Sequence, residues 1–162
     1  MIYLGLGSNI GDKIGFINAA VREISKMSNT KVLKSSSIYK TEPWGVTNQD
    51  YFLNSVLEIE TNFTPSELLS EIKKIESLLG RKKRQKWFER EIDIDILFFN
   101  NLVFKSGNIE IPHPEIPKRN FVLVPLCELN PGLIHPVLNC TVKELLENSK
   151  DNSGVIKFCK AG

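Results

Sequence analysis

Between Glu91 and Phe99 the chain reads Glu-Ile-Asp-Ile-Asp-Ile-Leu-Phe-Phe, and this alternation restricts the possible fold more than any other stretch. A hydrophobic period of two is that of a half-buried strand. It puts Ile92, Ile94, Ile96 and Phe98 on the buried face and Glu91, Asp93, Asp95 and Leu97 on the other. The two aspartates then share a face, with roughly 6–7 Å between their Cα atoms at strand rise. Aspartate is a poor strand residue, and adjacent like charges repel. A hard divalent cation offsets both costs, because carboxylate oxygens are favoured ligands of Mg²⁺. Just upstream, six of the ten residues from Arg81 to Arg90 are cationic, against one acid, Glu89. Cations for phosphate beside carboxylates for metal is the layout of an enzyme that handles a nucleotide polyphosphate. Taken singly, each feature has a plainer reading. An Asp-x-Asp strand can be a polar outer face, and a basic run can be a solvated loop or a nucleic-acid patch. Their succession within fifteen residues favours the ligand-handling reading.

Composition narrows the partners. A chain of 162 residues with 41% hydrophobic and 25% charged side chains has the make-up of one globular domain, spanning 1–162. The net charge of +2 demands neither a nucleic acid nor a membrane, and its local concentration suits a small anionic ligand. No apolar run has membrane-spanning length, and the opening Met-Ile-Tyr-Leu-Gly-Leu-Gly enters a strand without a secretory signal. Cys127, Cys140 and Cys159 are odd in number and widely spaced, so they make neither a zinc site nor a disulfide framework. Reduced thiols in a cytoplasmic protein are expected.

Taken in order, Ile2–Ser8 reads as a strand in which Gly5 and Gly7 leave one face bare. Such glycines mark either a ligand approach or tight packing of a helix on the sheet. Asp12–Met27 follows as an amphipathic helix, Lys31–Lys40 as one strand, and Thr41-Glu-Pro-Trp-Gly45 as a turn. In the strand Tyr51–Thr61, Asn54 is a polar residue among apolar neighbours. It either satisfies backbone or offers a donor and acceptor to a heterocycle edge. Thr64-Pro-Ser-Glu67 opens a helix with a capping box, and Gly80 closes it. Glu76 lies beside its buried stripe, as a flanking charge or as a group aimed at a cleft. Asn100-Asn101 forms a tight turn from which Leu102–Phe104 returns as a strand. His113 sits between Pro112 and Pro114, and Pro117 opens a short helix containing Lys118, Arg119 and Phe121. The remainder holds a short helix capped at Thr141 and a last strand near Val155–Phe158, with no chemical constellation. This order predicts an α+β fold: a ferredoxin-like βαββαβ core, an antiparallel sheet with helices on one face, and a C-terminal extension.

Six stretches in this order resemble the 6-hydroxymethyl-7,8-dihydropterin pyrophosphokinase family. They are Leu4–Asn9, Ser36–Gly45, Phe52–Asn54, Ile75–Arg81, Arg90–Leu97, and Ile111–Pro114 with Arg119–Phe121. The resemblance implies transfer of pyrophosphate from ATP to the pterin hydroxymethyl oxygen, with release of AMP, in folate biosynthesis. It implies two Mg²⁺ ions on Asp93 and Asp95. Arg81 and Arg90 join these two as catalytic groups, and Arg84, Arg90, His113 and Arg119 meet the phosphates of ATP. Lys73, Glu76, Trp87 and Ile96 match nucleotide-site positions. Phe52 and Phe121 match the rings that sandwich the pterin, while Thr41, Pro43, Trp44 and Asn54 match positions around its polar edge. A monomer is expected. The family's Gly-Pro ahead of the arginine of the Asp-x-Asp motif is Phe88-Glu89 here, and Pro114 stands where some members have Tyr. Two other readings fit parts of the pattern: a divergent member that turns over weakly, and a ferredoxin-like RNA-binding module. The second lacks an aromatic and basic stripe on its strands, and Asp93 and Asp95 would repel a phosphate backbone.

Overall fold

A computed structural model describes residues 1–42, 50–82 and 89–160. The elements are β1 (Ile2–Ser8), α1 (Lys13–Lys26), β2 (Thr30–Ser35), β3 (Ile38–Thr41), β4 (Phe52–Thr61), α2 (Pro65–Leu78), β5 (Asp93–Phe99), β6 (Phe104–Ser106), β7 (Ile109–Ile111), a 3-10 turn (Ile116–Lys118), α3 (Asn120–Leu129), α4 (Val142–Glu147) and β8 (Val155–Cys159). The main sheet runs β5-β1-β4-β3-β8, with β2 also paired to β4. All of its pairings are antiparallel. Among the described residues no helix is long and apolar enough to cross a membrane, and Cys127, Cys140 and Cys159 are free thiols.

Alternation along the central strands sends side chains into two cores. Ile2, Leu4 and Leu6 of β1, Leu53, Leu57 and Ile59 of β4, and Ile92, Ile94 and Ile96 meet Ile17, Ala20 and Ile24 of α1 and Leu68, Ile72 and Ile75 of α2. Tyr3, Val56, Leu97 and Phe98 on the opposite face meet Val122, Leu123 and Leu126 of α3 and Val142 of α4. Helices therefore cover both faces, not one as expected. The short α3 covers only part of the second face, and the uncovered part is the cleft described below. The helix starts follow local chemistry. Asp12 accepts from Gly15 N at the head of α1, and Thr64 and Glu67 form the expected capping box around Pro65.

Four local expectations are corrected. Phe98 does not join the face of Ile92, Ile94 and Ile96. The register with β1 steps from Leu4↔Ile96 to Tyr3↔Phe98, so Leu97 is the extra residue of a bulge, and Leu97 and Phe98 both enter the second core. Lys31–Lys40 is two strands, because Ser37 turns its N–H and hydroxyl away from the ladder to the Glu128 carboxylate, at 3.0 and 2.8 Å. Ser36 keeps the break tied to β4: its N–H donates to Val56 O and its Oγ accepts from Val56 N, both at 2.9 Å. The strand expected at Leu102–Phe104 is instead β6, which starts at Phe104 and pairs with β7 across a turn at Gly107 (φ 53°). Finally, Pro117 belongs to a 3-10 turn that stops at Arg119, whose extended backbone (φ −129°, ψ 101°) separates it from the ten residues of α3.

Candidate active site

The bare face of β1 is the floor of the site. Its neighbours in register are Asp93 and Asp95 of β5, opposite Gly7 and Gly5, and Asn54 and Val56 of β4, opposite the same two glycines. A trough two strand spacings wide, about 10 Å, therefore separates the carboxylates from the Asn54 amide. A Cβ on Gly7 would stand 3.0 Å from Asn54 Oδ1, and one on Gly5 would stand 3.4 Å from Leu97 Cδ1. The atoms nearest these glycines belong to neighbouring strands, not to a helix.

The trough opens into a cleft of about 610 Å³. Its lining brings together Thr41, Phe52, Asn54, Lys73, Arg81, Arg90, Asp93, Asp95, His113, Arg119 and Phe121, all expected from the sequence. Two expected residues lie elsewhere. Ile96 flanks a smaller groove of about 260 Å³ beside the β6–β7 hairpin, which shares Asp95, His113 and Pro114 with the main cleft. Glu76 is buried behind the cleft. Its Oε1 accepts from Ile94 N at 2.8 Å, and its Oε2 meets Lys73 Nζ at 2.9 Å and Arg81 Nη1 at 2.5 Å. It therefore braces two of the cations that line the wall. Pro43, Trp44, Arg84, Trp87 and Phe88 lie outside the described residues.

Charge is concentrated around Asp93. Its Oδ1 lies 3.0 Å from Arg81 Nη1, and its Oδ2 accepts from Arg90 Nη1. Asp95, like Asp93, is half-buried at the cleft floor. Loss of solvent, and then the neighbouring Asp93 charge, push its carboxyl up to about 7, with Lys73 and Arg119 opposing. His113 is held below its usual range by burial and then by the Arg119 charge. Its Nδ1 accepts from Glu115 N at 3.2 Å, so in the neutral ring the proton sits on Nε2. Its backbone N–H donates to the bulged Leu97 at 2.9 Å, which fixes the Pro-His-Pro segment against β5.

On the far wall Asn54 Nδ2 donates to Thr41 Oγ1 at 2.9 Å. That bond orients the amide and leaves Oδ1 toward Gly7. The Arg119 guanidinium carbon lies 5.6 Å from the centroid of the Phe121 ring. One positioning residue was missed by sequence reasoning. Asn9 is buried, and its backbone and side chain bracket the Arg90 backbone: Arg90 N donates to Asn9 Oδ1 at 2.7 Å and Asn9 N donates to Arg90 O at 3.1 Å. Asn9 lies eighty-one residues from Arg90, and no local pattern in the sequence links them.

Paired acidic side chains facing guanidinium and ammonium groups across from an aromatic and amide wall make a cleft for an enzyme that acts on a polyanion and a flat polar ring. Comparison with known proteins narrows this. Residues 3–131 match the family model described as 7,8-dihydro-6-hydroxymethylpterin-pyrophosphokinase (HPPK). A 2-amino-4-hydroxy-6-hydroxymethyldihydropteridine pyrophosphokinase of Aquifex aeolicus is 44% identical over 98% of this chain and 95% of its own. The protein of the same name from Bacillus subtilis is 42% identical over 96% and 94%. A crystal structure of Plasmodium falciparum HPPK-DHPS with pteroate superposes with a TM-score of 0.73 at 18% identity, over 90% of this chain and 41% of that one, and shows the shared fold alone. The chain belongs to the pterin pyrophosphokinase family. As a member it is an ATP-dependent diphosphotransferase of folate biosynthesis.

Proposed function

We propose that this cleft transfers pyrophosphate from ATP to 6-hydroxymethyl-7,8-dihydropterin and that Asp93 and Asp95 would hold the two Mg²⁺ ions the reaction uses. The observation that carries the reading is the cross-strand row Asp95–Gly5 and Asp93–Gly7–Asn54, which sets carboxylates and a ring-reading amide on opposite sides of one trough. The donor set fits magnesium. Among the described residues there is no cluster of three or more metal-ligating side chains. Two carboxylates completed by substrate phosphates and water are the usual provision for Mg²⁺. The Asp95 carboxyl, raised by loss of solvent and then by the Asp93 charge, also stands to gain from a cation.

Each side chain then has a task. Asp93 would hold the cation in place of its guanidinium partners, which leaves Arg81 and Arg90 for the phosphates, for which their planar forks are suited. Lys73 and Arg119 add charge from the cleft walls, and His113 donates from Nε2. Phe52 and Phe121 stack on the pterin while Asn54, oriented by Thr41, meets its edge. The smaller groove by Ile96 receives the nucleoside end of ATP. Bound metal would neutralise the triphosphate and acidify the attacking hydroxyl. The new bond forms between the hydroxymethyl oxygen and the β-phosphorus, the bond from the β-phosphorus to the α-phosphate oxygen breaks, AMP leaves, and the hydroxyl proton passes to solvent.

The strand order also supports reading β1 to β5 as ferredoxin-like, with β2 and β3 sharing one strand's place. We extend the reading to a single-domain, cytoplasmic monomer without nucleic-acid partners, which three free thiols and a net charge of +2 support. The test is AMP release from ATP, Mg²⁺ and the hydroxymethylpterin, beside Asp95→Ala. Pterin-dependent AMP that disappears in the variant is expected. Undiminished AMP formation by the variant would remove Asp95 from the metal site.

A further inference from the structure

The segment after α4 lies beyond the residues that match the family model, yet it is tied to the cleft at two places. Asp151 reaches the start of α3. Its Oδ2 accepts from Asn120 N at 2.7 Å, and its backbone carbonyl accepts from Asn120 Nδ2 at 2.9 Å. The residue that opens α3, Arg119, makes no capping hydrogen bond with its own side chain. Asp151 thus supplies the missing cap from thirty-one residues away, with a negative charge at the positive end of the helix. The aspartate is itself held, because Oδ1 accepts from Ser153 N at 2.9 Å and from the Ser153 hydroxyl. Asn120 Oδ1 is buried and has no hydrogen-bond partner among the described residues, so Asp151 is what orients the Asn120 amide, through its Nδ2. Four residues on, Val155 pairs with Thr41, the residue that orients Asn54.

We infer that Asp151 is a positioning residue for the pterin subsite. By capping Asn120 it fixes the angle at which α3 leaves Arg119, and so the placement of Phe121 immediately after the cap. The strap from Asp151 to Val155 holds that ring in register with Thr41 and Asn54. This inference rests on the proposal that Phe121 stacks on the pterin.

The test compares pterin affinity and the separate KM values for pterin and ATP in four variants: Asp151→Ala, Phe121→Ala, their double, and Thr141→Ala. Thr141 closes the capping box of α4 and does not line the cleft, so its loss matches the structural cost without touching the site. Asp151→Ala is expected to weaken pterin binding about tenfold and to raise the pterin KM more than the ATP KM. The double variant should bind pterin no worse than Phe121→Ala alone, and Thr141→Ala should bind it normally. Asp151→Asn, which keeps one acceptor for Asn120 N, should recover part of the loss and folds if the alanine variant does not. Equal weakening by Thr141→Ala, or additive losses in the double variant, would overturn the inference. Normal pterin binding by Asp151→Ala, with Phe121→Ala impaired, would overturn it while leaving the subsite intact. Normal binding by Phe121→Ala would remove the ring from the subsite, and the inference with it.

Discussion

Asp95 is under opposed demands: it is half-buried beside a second carboxylate, yet the proposed reaction needs it ionised. Its carboxyl is raised to about 7, whereas in the unfolded chain it titrates near 3.9. Below about pH 3 both states are protonated and nothing is lost, and at pH 4 the loss is still small. As the pH rises toward 7 the unfolded state ionises first, and the native state loses stability until its own carboxyl ionises. In chelator, Asp95→Asn should therefore be more stable than the parent by about 1–3 kcal/mol at pH 8 and little different from it at pH 4, as thermal unfolding at the two pH values would read. The same titration makes a proton compete with the cation. Mg²⁺-dependent binding of a non-hydrolysable ATP analogue should weaken as the pH falls below 7, and calorimetry across pH 6–8 checks the sign. Gly7 offers a second test at this scale. A methyl there meets Asn54 Oδ1 at 3.0 Å, so Gly7→Ala should turn the amide and reduce pterin affinity by about tenfold, roughly one good hydrogen bond. Unchanged affinity would mean that Asn54 does not read the ring. The aspartates, arginines and aromatic pair could be read from residue chemistry and resemblance. Asn9 and Glu76 took their roles from contacts that chain order hides: one brackets Arg90 from just past the end of β1, and the other braces Lys73 and Arg81 from behind.

At the scale of elements, periodicity found most strands and helices, and the misreadings share one cause. The break between β2 and β3, and the bulge at Leu97, arise where a side chain or an extra residue interrupts the ladder, and neither changes the hydrophobic pattern. Ser36 and Ser37 look like ordinary strand residues until Glu128 of α3 takes the Ser37 N–H. That carboxylate also accepts from Tyr39 Oη at 2.7 Å, so it ties α3 to β3. Glu128→Ala should cost about 1.5–3 kcal/mol, the usual loss for hydrogen bonds to a charged group, measurable as a shift in urea midpoint with little change in slope. A loss below 0.5 kcal/mol would mean that α3 docks through its apolar contacts alone. The β6–β7 hairpin shows the same limit. Asn100-Asn101 is a correct turn signal, but whether the chain then pairs with β5 or folds back at Gly107 depends on which edge is available.

For the whole molecule, the arrangement of two cores decides where a ligand can sit. α1 and α2 pack on one face, and α3 with α4 closes only part of the other, so the glycine-bearing end of β1 stays open. Ile72 is fully buried in the first core, away from the cleft. Ile72→Ala should destabilise the protein by about 2–5 kcal/mol, while any enzyme still folded keeps its KM values. A change in KM at full folding would show that the first core also shapes the cleft. The sequence alone determined the strand that carries Asp93 and Asp95, the capped helices, the antiparallel α+β class and the family, because period, caps and short motifs are local and survive without neighbours. Tertiary structure decided which face each helix covers, the side to which Phe98 turns, the bracket of Asn9 on Arg90, and the cap that Asp151 lends to α3. Those depend on packing and hydrogen bonds between residues distant in the chain, which compete for the same donors and the same space only once the chain has folded.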